Sequence, residues 1–309
     1  MKKKVLITGS EGFIGYYLIK FLSKKNYLIY GTYNKKKNFY VKKNVNYLKC
    51  DIRNFERCKK IILKIKPDII FHLAAKSHPN FSFINPIETI NTNIRGTMNL
   101  LEICRKFHKT PKIILACSSA QYGARKFKEL PMSETDINMP EHIYGLSKVF
   151  QDKLGVQYHK MYSLKVVRAI LFNTSGPGKS NDVFNDICRQ FVKKSKFKKE
   201  ITIKCGNLSN QRDFMHVEDV VEGLHVLANK GKSGHAYNIG SGKLTKVKEI
   251  INFLEKFYNK KIKTNHNKSL FRTFDEKFIC SANNKIKSLK WKPKKNIKDI
   301  IKDMVSHYS

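Results

Sequence analysis

Tyr144 and Lys148 are the residues in this chain whose types and spacing best suit proton chemistry. On a helix, four residues is about one turn, so both side chains share a face. An ammonium beside a phenol favours phenolate and is expected to lower the Tyr144 pKa. A phenol tuned this way donates protons near neutral pH, where a free tyrosine with a pKa of about 10 is inert. The same spacing also suits an exposed amphipathic helix, so the rest of the chain must supply a cleft.

The first elements to position such a pair lie at the start. Lys4 to Thr8 reads as a short buried strand, Gly9, Gly12 and Gly15 follow at three-residue intervals, a helix runs from Tyr16 to Leu22, and Tyr27 to Tyr33 is a second strand. Glycines here permit a tight turn and let backbone N–H groups approach a pyrophosphate at a helix N-terminus. Strand, glycines, helix and strand in that order make a βαβ unit. An acidic residue after the second strand would hold the ribose diol of NAD. This chain reads Asn34-Lys35-Lys36-Lys37 there. The lysines favour a 2′-phosphate, so the expected cofactor is NADP, with NAD as the alternative.

Alternation continues with strands at 45–50, 68–73, 112–116 and 164–172 and helices at 56–65, 86–107 and 144–162. Such alternation predicts an α/β fold built on a doubly wound parallel sheet. After Phe172 the pattern loosens into a second, smaller α/β unit woven in and out of the first. The division expected is 1–172 plus about 213–241 for the dinucleotide-binding part and about 173–212 plus 242–309 for the substrate-binding part.

Composition narrows the function classes. The 309 residues are 41% hydrophobic, enough for a sizeable core, so a disordered chain is excluded. Net charge is +37, from 61 Lys+Arg against 24 Asp+Glu. The excess is mostly lysine scattered from end to end, which reads as a compositional bias and not a specific nucleic-acid site. A positive field still gathers phosphate-bearing substrates. The cysteines show neither a CxxC pair nor metal-ligand spacing, so reduced, buried thiols and no metal are expected. The run Val5-Leu6-Ile7 is too short for a secretory leader, and no stretch approaches a membrane span. A cytoplasmic protein with no membrane association is the expectation.

Several motifs then resemble, in order, the extended short-chain dehydrogenase/reductase family: Gly9-x-x-Gly12-Phe13-Ile14-Gly15, Asp51-Ile52, His72-Leu73-Ala74-Ala75, Asn93-x-x-Gly96-Thr97, Ser118-Ser119-Ala120-Gln121-Tyr122-Gly123 and Tyr144-x-x-x-Lys148. The resemblance implies a Rossmann-type sheet and a nucleotide-sugar substrate. It assigns cofactor contacts to Gly9, Gly12, Phe13, Ile14, Gly15, Asn34, Lys35, Asp51, Ile52, Leu73, Ala74, Ala75, Asn93, Tyr144 and Lys148. It makes Tyr144 the proton-transfer group, Lys148 the residue that binds the nicotinamide ribose, and Ser118 a hydrogen-bonding partner of the reacting oxygen. Dehydratases of the family carry an acidic residue where this chain has Ala120, which argues against dehydration.

The C-terminal half resembles the branch that handles GDP-linked 6-deoxyhexoses, through Phe172-Asn173-x-x-Gly176-Pro177-Gly178-Lys179, Gly206-Asn207-Leu208-x-x-x-Arg212-Asp213-Phe214, Tyr237-Asn238-Ile239-x-Ser241-Gly242 and Arg272-Thr273-Phe274-Asp275. Lys179, Thr273 and Asp275 depart from the residues usual at those positions. Guanidinium binds diphosphate bidentately, which suits Arg212 and Arg272. The resemblance adds Ser82, Ser118, Asn173, Lys179 and Asp275 to the substrate side, and implies a homodimer paired through the long helices 86–107 and 144–162. The expected reaction is reduction of the C4 ketone of a GDP-linked 4-keto-6-deoxyhexose to GDP-D-rhamnose. A nucleotide-sugar 4-epimerase is the alternative, and a non-catalytic nucleic-acid-binding protein on the same fold is the remote one.

Overall fold

The computed structural model describes residues 2–34, 44–107, 109–196, 198–267 and 276–309. Six strands, β1 (Lys3–Thr8), β2 (Tyr27–Tyr33), β3 (Val45–Lys49), β4 (Ile69–His72), β5 (Lys112–Ser118) and β6 (Val166–Leu171), join a seventh, Ala236–Ile239. The order across the sheet is Ala236–Ile239, β6, β5, β4, β1, β2, β3, and every pairing is parallel. Runs such as Val5-Leu6-Ile7, Ile69-Ile70-Phe71 and Ile113-Ile114-Leu115 are buried throughout. Such continuous apolar strands belong to a parallel sheet covered on both faces. Helix α1 (Phe13–Leu22) and the helix Val217–Lys230 cover one face. Helices α2 (Phe55–Ile65), α5 (Gly96–Arg105) and α6 (Ile143–Tyr162) cover the other. The strand order reverses at β1, so the ligand crevice falls outside its carboxyl end.

Two elements differ from the sequence expectation. Helix α1 begins at Phe13 and not Tyr16, because Gly12 serves as its N-cap. The segment expected as one long helix is α4 (Pro86–Ile90), a π-helical stretch Asn91–Arg95 and then α5, preceded by a short α3 (Pro79–Ile84). A π-turn widens the helix locally and is frequent at functional positions. Here it carries Asn93.

Beyond the sheet, the helices Val183–Ser195, Lys248–Tyr258 and Ile297–Tyr308 pack with the strands Glu200–Cys205 and Lys261–His266 around a separate core. Ile201, Ile203 and Cys205 alternate inward along their strand, the period-two pattern of a half-buried one. The Asp213 carboxylate holds the neighbouring turns: it accepts from the Ser241 and Gly242 amides at 2.7 and 3.0 Å and from the Ser281 amide at 3.0 Å. Among the described residues no helix is long and apolar enough to cross a membrane.

A buried chain of hydrogen bonds ties the sheet to the helices that flank the crevice. The Ala74 amide donates to Thr8 Oγ1 at 3.2 Å, and that hydroxyl lies 2.8 Å from His72 Nδ1. His72 Nε2 lies 3.0 Å from Thr97 Oγ1, which itself donates to the Asn93 carbonyl at 2.6 Å. The Thr97 hydroxyl proton is therefore spent, so Nε2 carries the ring proton and Nδ1 accepts. Burial, helped by the Lys148 charge, lowers the His72 pKa to about 3, keeping the ring neutral. Thr97→Val strands the Nε2 proton in a fully buried site, and a loss of about 1–3 kcal/mol is expected in urea unfolding. A change within experimental error would show that this link contributes nothing.

Candidate active site

The glycine turn leaves an open cradle at the start of α1. Gly9 has φ +69°, and a Cβ there would lie 2.8 Å from the backbone of Ala74. A Cβ on Gly15 would lie 2.4 Å from the Gly9 carbonyl oxygen. Gly12 caps α1 without a side-chain hydrogen bond, so its cap leaves the first N–H groups unsatisfied. Half-buried Leu73, Ala74 and Ala75 follow β4 beside this turn, and Ile14 packs onto the sheet. This arrangement fits a pyrophosphate, with positive helix dipole and N–H donors converging where a side chain would block approach.

At the far end of the cradle, Asn34 Nδ2 donates to Asp51 Oδ2 at 3.1 Å, joining two of the expected cofactor residues. Arg53 grips the same carboxylate at 2.6 Å and, with its backbone N–H, holds Asp51 below the usual carboxylate range. Ile52 is buried against Gly96, where a Cβ would come within 2.6 Å of it. Lys35 lies outside the described residues. A carboxylate that the sequence reading overlooked stands there: Glu11 Oε1 accepts the Asn34 amide at 2.9 Å. Its Oε2 is buried with no hydrogen-bond partner among the described residues.

Tyr144 and Lys148 both lie in the first turns of α6 and are both buried, at 8% and 3% exposure. The Lys148 ammonium donates to the Ala116 carbonyl at 2.9 Å and to Gln151 Oε1 at 2.7 Å, and lies 5.9 Å from the centre of the Tyr144 ring. One of its three protons is thus uncommitted among the described residues. The expected depression of the Tyr144 pKa is corrected by the structure. Burial pushes the phenol up to about 12, and the Ser118 hydroxyl nearby only partly offsets this. The ammonium is turned toward backbone and amide oxygens, and burial lowers its own pKa from 10.5 to about 8. Gly145 lets α6 press on the turn after β5, since a Cβ would lie 2.6 Å from the Ala120 carbonyl oxygen. Ser118 is the last residue of β5, immediately before that turn.

A family model described as GDP-mannose 4,6 dehydratase matches residues 6–304. The chain belongs to this family, a branch of the extended short-chain dehydrogenases/reductases. The GDP-6-deoxy-D-mannose reductase of Pseudomonas aeruginosa is 26% identical over 244 residues, covering 78% of this chain and 80% of that one. Among solved structures, Thermus thermophilus UDP-glucose 4-epimerase, in complex with NAD, superposes with a TM-score of 0.86 at 24% identity, covering 99% of this chain and 98% of that one. The RMD of Pseudomonas aeruginosa, complexed with NADPH, does so with a TM-score of 0.82 at 23% identity, over 99% of both chains. At these identities the structural likeness is one of fold. The family comprises nucleotide-sugar epimerases, dehydratases and reductases.

Against that family pattern, several expected contacts are differently employed. Asn93 is fully buried, and its amide is spent inside the protein: Oδ1 accepts the Lys76 amide at 2.8 Å, while Nδ2 donates to the Lys76 carbonyl at 3.1 Å and to Ser147 Oγ at 2.9 Å. It ties α6 to the segment that follows β4. Ser82 is likewise fully buried and donates to the Pro79 carbonyl at 2.7 Å, while the neighbouring Phe83 is exposed. The Lys179 ammonium lies 5.2 Å over the Phe13 ring, on the cofactor side of the crevice. Arg212 is buried and approaches Glu276 at 3.9 Å. Asn173 keeps a buried Nδ2 with no partner among the described residues. Arg272 and Asp275 lie outside the described residues.

Two further residues escaped the sequence reading. His142 caps α6 by accepting the Gly145 amide on Nδ1 at 3.0 Å, and its ring stacks on Tyr144 at 6.0 Å. Its Nε2 lies 3.7 Å from Glu276, whose carboxyl burial would raise but His142 and Arg212 hold low. A histidine is not a usual N-cap. Its second nitrogen joins the helix that carries Tyr144 to the segment following residue 275. Among the described residues no group of three His, Cys, Asp or Glu side chains could hold a metal.

The buried lysine makes stability depend on pH. The folded chain releases the Lys148 proton near pH 8, whereas the unfolded chain keeps it to about 10.5. Its cost to folding is full below pH 8 and is relieved as pH rises through that window. The stability of the wild type relative to Lys148→Met should therefore rise between pH 8 and 10.5 in urea unfolding. A flat difference would mean the ammonium is not desolvated.

Proposed function

We propose that this protein exchanges hydride at C4 of a nucleotide-linked hexose, with reduction of a GDP-linked 4-keto-6-deoxy-D-mannose to GDP-D-rhamnose as the leading reaction. The observation that carries it is a buried Tyr144 that burial keeps protonated, with Ser118 near its phenol and an Ala120 that has no carboxyl. A bound nicotinamide supplies the hydride. Ser118 donates to the C4 oxygen and steadies the alkoxide, and Tyr144 gives it the proton. The uncommitted Lys148 proton suits a ribose hydroxyl, and the free Asn173 Nδ2 suits a phosphate or sugar oxygen. Arg272 and Asp275 remain assigned to the diphosphate and the nucleotide ribose by resemblance alone, and Arg212 would have to share its guanidinium with Glu276. Expulsion of water from C6 needs an acid that Ala120 cannot provide.

The cofactor reading shifts from the lysine-based expectation. The buried Oε2 of Glu11, without a partner among the described residues, supports a ribose diol, whose hydroxyls donate, over a 2′-phosphate, which a carboxylate repels. NAD(H) is therefore the proposed cofactor. That same observation favours a second reading, a nucleotide-sugar 4-epimerase, which uses the same side chains and returns the hydride. Ile84, Ile87, Ile90, Met98, Leu146 and Phe150 are exposed on helices that pack against one another, which supports a homodimer.

Mixing the protein with a GDP-mannose 4,6-dehydratase, GDP-mannose and either NADH or NADPH separates these readings. Loss of reduced-nicotinamide absorbance in proportion to a 6-deoxy-sugar product is expected, faster with NADH. Turnover confined to UDP-sugars without net oxidation would replace the reductase by the epimerase. Tyr144→Phe should lose at least about a hundredfold in kcat while cofactor affinity is kept; retained activity would refute the proton-donor role. Ile87→Glu combined with Phe150→Glu is expected to yield monomers by light scattering, and an unchanged mass would place the interface elsewhere.

A further inference from the structure

All of the cysteines are free and buried, and they are not alike. Burial pushes the thiols of Cys104, Cys117, Cys188, Cys205 and Cys280 upward, as expected of inert core residues. Cys50, just after β3, and Cys58, in α2, stand apart because their sulfurs are only 3.4 Å from each other. That is sulfur–sulfur contact, and a bond of about 2.05 Å asks for roughly 1.4 Å of further approach shared between two side chains. The Cys58 thiol bonded to Cys50, with the Arg57 guanidinium nearby, holds Cys50 below the ordinary thiol range. The same contact, together with burial, raises Cys58. Cys50 is 8% exposed and Cys58 2%, so the better thiolate lies outermost with a second sulfur directly behind it. A thiol held below its ordinary range next to a resolving thiol is the arrangement that oxidises selectively.

We propose that Cys50 and Cys58 form a thiol-oxidation site whose oxidant is a hydroperoxide and whose product is a Cys50–Cys58 disulfide. The Cys50 thiolate attacks one peroxide oxygen and breaks the O–O bond, leaving Cys50 as a sulfenic acid and, for hydrogen peroxide, releasing water. The Cys58 sulfur then attacks the Cys50 sulfur and expels the hydroxyl as a second water. The two thiols lose two electrons, the peroxide gains them, and both thiol protons end in the two waters.

The new bond would span the turn at Asp51-Ile52-Arg53. Cys58 Sγ now lies 3.5 Å from the Asp51 carbonyl and 3.6 Å from that of Ile52, and Asn99 Nδ2 donates to the Ile52 and Arg53 carbonyls at 3.1 and 3.0 Å. Drawing Cys58 toward Cys50 disturbs that turn, and with it the Asp51–Asn34 contact at the adenosine end. This consequence rests on the cofactor reading above; the sulfur chemistry does not.

The test treats the reduced, purified full chain with hydrogen peroxide, blocks remaining thiols and maps peptides without reduction. A Cys50–Cys58 linkage should appear before any other and vanish with dithiothreitol. Cys58→Ser should give no linkage and a dimedone-reactive sulfenic acid on Cys50. The linked form should bind NADH several-fold more weakly by nicotinamide fluorescence, with peroxide leaving the affinity of Cys58→Ser unchanged. Oxidation that links another pair first, or leaves both thiols alkylatable, overturns the site. Linkage with unchanged NADH affinity overturns its effect on the adenosine end. A chain that binds neither NADH nor NADPH before oxidation overturns the cofactor reading, and the peptide map still decides the site.

Discussion

A neutral imidazole in the middle of the sheet is the constraint on which this crevice depends. His72 receives a hydroxyl from Thr8 at the entrance to the glycine turn and gives its own proton to Thr97, which passes the chain on to Asn93. Asn93 in turn fastens Ser147, and the Ser147 hydroxyl donates to the Tyr144 carbonyl at 2.7 Å. The glycine cradle and the Tyr144 helix are thus two ends of one buried polar network. Each member has its partners, so the network rigidifies the site; a half-satisfied one would cost more than an apolar core. The π-turn at Asn91–Arg95 places the Asn93 amide within reach of both Lys76 and Ser147.

Desolvation sets the electrostatics of the reacting end. It penalises charge on the phenol and on the ammonium alike, so Tyr144 is pushed up while Lys148 is pushed down. With no carboxylate bonded to it among the described residues, Lys148 is a positive charge whose preferred partner is an oxyanion. A site of this kind favours the charge distribution that appears when a carbonyl becomes an alkoxide. The ammonium need not activate the phenol beforehand to serve that end. Its field also helps to keep His72 neutral, which the hydrogen-bond chain requires.

Several motif residues hold backbone. Asp213 ties together the turns at Ser241-Gly242 and Ser281, and Ser82 closes a turn of its own helix. Their motifs are legible in the sequence, but a motif does not say which way a side chain faces. Glu11 shows the converse. It is an unremarked residue inside the glycine run, yet it meets the Asn34 amide 23 positions away because β1 and β2 pair with Thr8 opposite Thr32. A local inspection of the residues after β2 sees lysines there and no carboxylate.

The sequence by itself determined the alternation of strands and helices, the glycine turn and the spacing of Tyr144 and Lys148. These depend on near neighbours along the chain, where apolar periodicity and the freedom of glycine act directly. Only the tertiary structure decided where the Lys148 protons point, that Asn93 is consumed internally, that His142 meets Glu276, and that Cys50 touches Cys58. Each of those depends on which segments the parallel pairing brings side by side and on how deeply water is excluded there. Burial then reverses the expected Tyr144 shift, because the energy of a charge in a protein is set by its surroundings more than by its neighbour in sequence.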